Sequence, residues 1–274
     1  FLKKHIKYKT SELFFSDAVI LVEGPTEEIL LRYYIDMNEK LNKHYITIFN
    51  IDGNHGKVYY SLLKILKIPS LIITDIDLIR KNDDLKQVTE DDLENIKTSN
   101  ETIKFILKMK KDVDKLYNLK SLIEDSKFED GNICITYQNK INGYIPTSFE
   151  EALILQNYKN RILNQVLEEI MPNFYKEKVG NNKVNKVYKN NLECSYEWQV
   201  KLGKNNFKTK FVNLLLYYCI NTDKKSQIPK LPLYINEGLK WLDERLNGGE
   251  NRNGFKENTK KGRGNIKKNI EPHR

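Results

Sequence analysis

Ala18–Glu27 reads AVILVEGPTE and Leu71–Asp77 reads LIITDID, and these two stretches decide the fold. Each is an apolar run that ends in carboxylates. Val19, Ile20, Leu21 and Val22 are continuous and mostly β-branched, the pattern of a strand buried on both faces of a parallel sheet. Glu23 then falls at the strand's carboxyl end. Gly24 suits a tight turn, Pro25 suits a first helical position, and Ile29, Leu30, Tyr33, Tyr34, Met37 and Leu41 recur at helical spacing, which puts Glu27 in the first turn. Asp75 and Asp77 are two residues apart on a segment read as extended, so both side chains are expected on one face.

Working outward, Tyr45–Ile51 is a second β-rich run closed by Asp52 and Gly53. Val58–Leu66 carries a helical stripe through Tyr59, Leu62, Leu63 and Leu66, and Leu71–Ile76 is a third strand. This βαβαβ order requires a parallel sheet with right-handed crossovers, in which ligands bind beyond the carboxyl ends of the strands. Glu23, Asp52, Asp75 and Asp77 all map there. The expected class is α/β, with a parallel central sheet flanked by helices.

Residues 1–16 read as a lead-in, with Glu12, Leu13, Phe14 and Phe15 packing under the first strand. Residues 17–160 form the α/β domain, interrupted over 83–128 by a polar helical insertion whose stripe is Ile103, Ile106, Leu107, Val113, Leu116, Leu119 and Leu122. Asn132–Tyr137 resumes the sheet, and Ser148 opens one long helix that runs to Ile170 and stops at Pro172. Residues 161–247 form a helical C-terminal extension, with helices at Phe211–Cys219 and Ile235–Leu246, and 248–274 form a basic tail of disordered composition.

The chain has 274 residues, 39% of them apolar, enough for a real core. No apolar run approaches the length of a membrane span. The chain begins at Phe1 and lacks a signal-peptide core, as expected of a piece of a longer protein. Cys134, Cys194 and Cys219 are an odd count at wide spacing, which fits a reducing cytoplasm better than a disulfide framework. The excess of 46 basic over 37 acidic residues, net +9, favours polyanions without naming one. Gly53–Lys57 has the wrong spacing for a P-loop, and Val58 follows the lysine, so no ATP hydrolysis is expected. The four histidines show no zinc spacing.

E-G-P-x-E after a buried strand, with D-x-D after a later one, resembles the Toprim domain of topoisomerases, primases and certain nucleases. SELFFSDAVILVEGPTEEILL, ITDID, TSFEEAL, KTKFVNLLL and LPLYINEGLKWL together resemble the C-terminal half of the overcoming-lysogenization-defect (OLD) nucleases, with the Gabija nucleases among their relatives. The resemblance spans most of residues 11–246. It implies a metal-dependent DNA endonuclease domain of a phage-defence protein, with two Mg²⁺ or Mn²⁺ ions. It also implies an upstream ABC-type ATPase domain, a homo-oligomer and a helicase-like partner.

Carried over, Glu23 and Glu27 match the motif glutamates and Asp75 and Asp77 the D-x-D. Asp52 matches a weaker acidic position. Glu150 or Glu151 would complete the second metal site, and Lys208, with Lys204 as competitor, matches the active-site lysine. Glu151 follows Ser148 by three and Glu150 follows Thr147 by three, so either also fits a capping box. Two other readings use the same residues: primase or topoisomerase chemistry, the latter through one of 16 tyrosines, and a catalytically silent DNA-binding or assembly module.

Overall fold

The computed structural model describes residues 12–51, 53, 55–80, 85–177, 187–188, 191–204 and 207–248. Asp52, the residues before 12 and those of the basic tail after Gly248 lie outside this set. Five strands form one sheet: β1 Ala18–Val22, β2 Ile46–Asn50, β3 Ser70–Ile73, β4 Lys127–Asp130 and β5 Ile133–Thr136, in the order β2-β1-β3-β5-β4. Pairings β1–β2, β1–β3 and β3–β5 are parallel, with Ile20 opposite Ile48 and Leu71, and only the edge strand β4 runs antiparallel.

The central strands are apolar throughout because each side is covered. Ala18, Ile20, Val22, Leu71, Ile73 and Cys134 face one core, whereas Val19, Leu21, Ile72, Ile133 and Ile135 face the other. Helices α1 (Pro25–Asp36), α5 (Phe149–Gln156), α6 (Arg161–Ile170), α7 (Ser195–Leu202), α8 (Phe207–Ile220) and α9 (Leu233–Asn247) supply the first core. Helices α2 (Gly56–Leu66), α3 (Glu101–Val113) and α4 (Leu119–Asp125) supply the second. Helix α9 lies so close to the sheet that a Cβ on Gly238 would stand 2.7 Å from Leu71 Cδ1 and 3.0 Å from Thr136 Cγ2. Glycine is required there for space.

Several expectations change. The third strand stops at Ile73 rather than Ile76, and Asp77 takes a left-handed φ of 49°, which an aspartate tolerates better than most residues. The single helix expected from Ser148 to Ile170 is two. Asn157 ends the first by donating its side-chain amide to Leu153 O and Lys230 O, and Asn160 Oδ1 caps the second through Leu163 N at 3.0 Å. The stretch 83–128, read as helical, ends in strand β4, and α7 occupies a region read as loop. Within the expected stripe Ile103, Ile106, Leu119 and Leu122 are buried, but Val113 and Leu116 are exposed at the α3–α4 turn. In the lead-in Leu13 is buried while Phe14 and Phe15 are exposed.

Candidate active site

The carboxyl ends of β1 and β3 deliver the first acids. Glu23 follows β1 directly, and its Oε1 accepts from the Thr74 hydroxyl, from Asp75 N at 3.2 Å and from Asn100 Nδ2 at 3.0 Å. Asp75 and Asp77 converge on Glu23 through a loop beyond β3, not along an extended strand. Asp75 Oδ1 accepts from Gln138 Nε2 at 2.5 Å, and Asp77 Oδ2 from Asn100 Nδ2 at 3.0 Å.

Glu27 sits in the first turn of α1 and is buried. Gly24 is extended, with φ −143°, so it is not there for a left-handed turn. A Cβ at Gly24 would stand 3.0 Å from Glu27 Oε2. The glycine gives the Glu27 carboxylate room to fold back over the turn.

The later acidic pair separates. Glu150, buried in the first turn of α5, accepts from Lys208 Nζ at 3.0 Å, and Lys208 lies in the first turn of α8 with its side chain 43% exposed. Glu151 is not brought to this cluster. Its Oε2 accepts from Thr147 N at 2.8 Å while its own N–H donates to Ser148 Oγ at 3.4 Å, so it closes the start of α5 much as a capping box does, reaching the residue before the cap rather than the cap itself. Its Oε1 takes the Ser195 hydroxyl at 3.4 Å and lies 3.9 Å from Arg80 Nη2. Lys204 is exposed on the turn after α7.

The electrostatics of the cluster follow from burial and mutual repulsion. Burial, then Glu150, pushes Glu27 up to about 8. Burial lifts Asp75 well above the usual range, and Glu23, Glu27, Asp77 and Glu150 add to the shift. Burial also raises Glu23 and Asp77, against hydrogen bonds from Thr74 and Asn100 to the former and from Asn100 to the latter. Burial alone would lower Lys208, but Glu150, Asp75 and Glu27 reverse this and hold it above its ordinary value. Among the described residues no three acids, imidazoles or thiolates are placed closely enough to hold a metal ion as they stand. The acids are held instead by amides, a hydroxyl and Lys208. An all-oxygen donor group, partly buried and self-repelling, fits a hard divalent cation, which would offset the repulsion.

Sequence reasoning missed Thr74, Asn100, Gln138 and Tyr234. Asn100 announces itself only as the N-cap of α3, where its Oδ1 accepts from Thr102 N and Ile103 N. Tyr234 is fully buried on α9, 3.3 Å from Gln138 Nε2, and nothing in its local sequence marks it.

A parallel sheet whose strand ends gather E-G-P-x-E and D-x-D carboxylates defines a Toprim domain, and the family model for the overcoming lysogenization defect protein-like TOPRIM domain matches residues 14–77. Residues 14–77 thus carry an OLD-like Toprim domain. Over 251 residues, 91% of its length, it is 50% identical to Endonuclease GajA of Bacillus cereus (strain HuB5-5), and it spans 34% of that relative's length. In fold it is similar to the C-terminal region of the Xanthomonas campestris pv. campestris OLD protein, with a TM-score of 0.52 and 17% identity over 88% of this chain and 99% of that one. No helix among the described residues is long and apolar enough to cross a membrane.

Proposed function

We propose that this chain is the metal-dependent DNA endonuclease domain of an OLD-type phage-defence protein. The observation that carries the reading is the convergence of Glu23, Glu27, Asp75, Asp77, Glu150 and Lys208 from four separate segments beyond one sheet edge. The 50% identity to a protein named as an endonuclease supports the reaction class. We assign two Mg²⁺ or Mn²⁺ ions: Glu23 and Asp77, which bear on each other, would hold one, Glu27 and Glu150 the other, with Asp75 serving both. When bound, such ions activate a water and neutralise charge on the attacking and leaving oxygens of a phosphodiester. The chain's own residues supply the rest. The acids, of which Glu27 and Glu150 are buried, fix the charge pattern, and Lys208, half-exposed beside them, offers a cation to the scissile phosphate as negative charge builds on it.

Glu151 we assign to the start of α5, and Lys204 to no role at the acids. Topoisomerase chemistry gains no support, since Tyr234, the tyrosine that bears on the cluster among the described residues, is fully buried. We extend the proposal to an upstream ABC-type ATPase region, a homo-oligomer, a helicase-like partner and a cytoplasmic setting. The division into a Toprim domain over 17–160 with its insertion, and a helical extension over 161–247, belongs to the same reading. Plasmid nicking with Mn²⁺ tests the core of it: Glu23→Ala and Asp75→Ala are expected to abolish cutting while folding is retained. Parental activity in either would remove the site assignment.

A further inference from the structure

Two side-chain amides that the proposed chemistry leaves unused hold the acids in place. Asn100 and Gln138 are both fully buried. Each divides its amide in the same way, carbonyl to the backbone and NH₂ to the acids. Asn100 Oδ1 accepts from Thr102 N at 2.9 Å and Ile103 N at 3.1 Å, and its Nδ2 lies 3.0 Å from Glu23 Oε1, 3.0 Å from Asp77 Oδ2 and 3.1 Å from Thr74 Oγ1. Gln138 Oε1 accepts from Ile76 N at 2.7 Å, and its Nε2 lies 2.5 Å from Asp75 Oδ1 and 3.3 Å from the Tyr234 hydroxyl. Because the carbonyl of each is committed to backbone N–H groups, the amide cannot flip without losing those bonds, and its donors stay aimed at the acids.

The consequence is specific. A neutral donor can hold two carboxylates near each other without taking the charge that a cation needs, whereas a lysine in the same place would compete with the cation. Hydrogen bonds that orient ligating groups are worth about 10- to 100-fold in metal affinity. We infer that Asn100 and Gln138 are positioning residues that pre-set Glu23, Asp77 and Asp75 for divalent cations, and that the insertion contributes to the metal site through the cap of α3. This rests on the metal-dependent reading above and adds to it a role for the insertion.

The test exploits the double duty of Asn100. Serine is a good N-cap but lacks the NH₂ group, so Asn100→Ser keeps the start of α3 and removes the donors to the acids. Mn²⁺ binding to the chain, followed by calorimetry, is expected to weaken about 10- to 100-fold, with the metal-free thermal midpoint within about 4 °C of the parent. DNA cutting by Asn100→Ser should recover as Mn²⁺ is raised. Gln138→Met, which removes the other amide, should weaken Mn²⁺ binding in the same direction. Asn100→Thr, which also caps the helix without adding charge, serves if the serine variant does not fold. Parental Mn²⁺ affinity in the folded variants would overturn the inference and make the amides merely structural. Asp75→Ala separates the two levels: if it binds Mn²⁺ as the parent does, or the parent binds none, the metal centre itself falls and the inference with it.

Discussion

Glu150 and Glu151 are neighbours in one helical turn, both buried, and they live in opposite electrostatic settings. Glu151 is surrounded by groups that satisfy it: a backbone N–H, the Ser195 hydroxyl and the Arg80 guanidinium, which itself lies over the Tyr196 ring at 3.3 Å. Glu150 faces Lys208 on one side and bears on Glu27 and Asp75 on the other. The donors around Glu151 offset part of the cost of burying it and tie it into the fold, although burial still raises it to about 7. Glu27 and Asp75 are raised by burial and further by neighbouring acids, at a cost in stability, and an external cation is their natural partner.

The largest expected effects come from separating the pair. Glu150→Ala should reduce metal-dependent cutting by about 10²- to 10³-fold, roughly 3–4 kcal/mol of transition-state stabilisation. Glu151→Ala should instead leave Mn²⁺ affinity near parental and lose about 1–3 kcal/mol of folding stability, because it removes the buried acceptor of Thr147 N and of the Ser195 hydroxyl. Denaturant melts and Mn²⁺ titration of both variants check this. Interchanged results would break the comparison.

A second, smaller effect lies in pH. Glu27 is raised from 4.5 to about 8 and Glu151 from 4.5 to about 7, in each case first by burial. Both carboxyls hold their protons longer folded than unfolded, so metal-free stability is fully present below about pH 4.5 and is lost as pH rises through those folded values. The loss is on the order of a few kcal/mol. Added Mn²⁺ should suppress the part that extends to about pH 8 and leave the part that ends near pH 7, which belongs to the acid away from the cluster. Stability measured across this range in chelator and in Mn²⁺ decides it.

The smallest effect sharpens the contrast from the other end of the site. Gly24→Ala needs no strained backbone, so stability should change by less than about 1 kcal/mol. Its methyl would press on the Glu27 carboxylate, and Mn²⁺ affinity should fall by about ten-fold, about 1.4 kcal/mol. Unchanged affinity would show that the position of Glu27 is not set by this turn.

The parallel strands β1 to β3 and the acids just past them were legible in the chain itself, whereas the edge strand β4 was not, its start falling in a stretch that reads as helical. Continuous β-branched runs mark strands buried on both faces, and β1 through β3 follow from that pattern because burial on two sides leaves no polar alternation. Glu23, Asp75 and Asp77 are readable because they sit just past such runs. Helix limits were less so: Asn157 and Asn160 divide a stretch whose apolar spacing continues across the break, since side-chain amides bonding to backbone decide the break and periodicity does not record them.

Only the tertiary structure decided which of two adjacent glutamates meets Lys208, why residue 24 has no side chain, and that Asn100 and Gln138 reach the acids from segments 77 and 63 residues away from Glu23 and Asp75. Local sequence marks which acids follow an apolar run and which side chains can cap a helix, because those effects act within a turn or two of chain. Which buried polar groups complete one another depends on distances between remote segments, and these exist only once the two cores have packed.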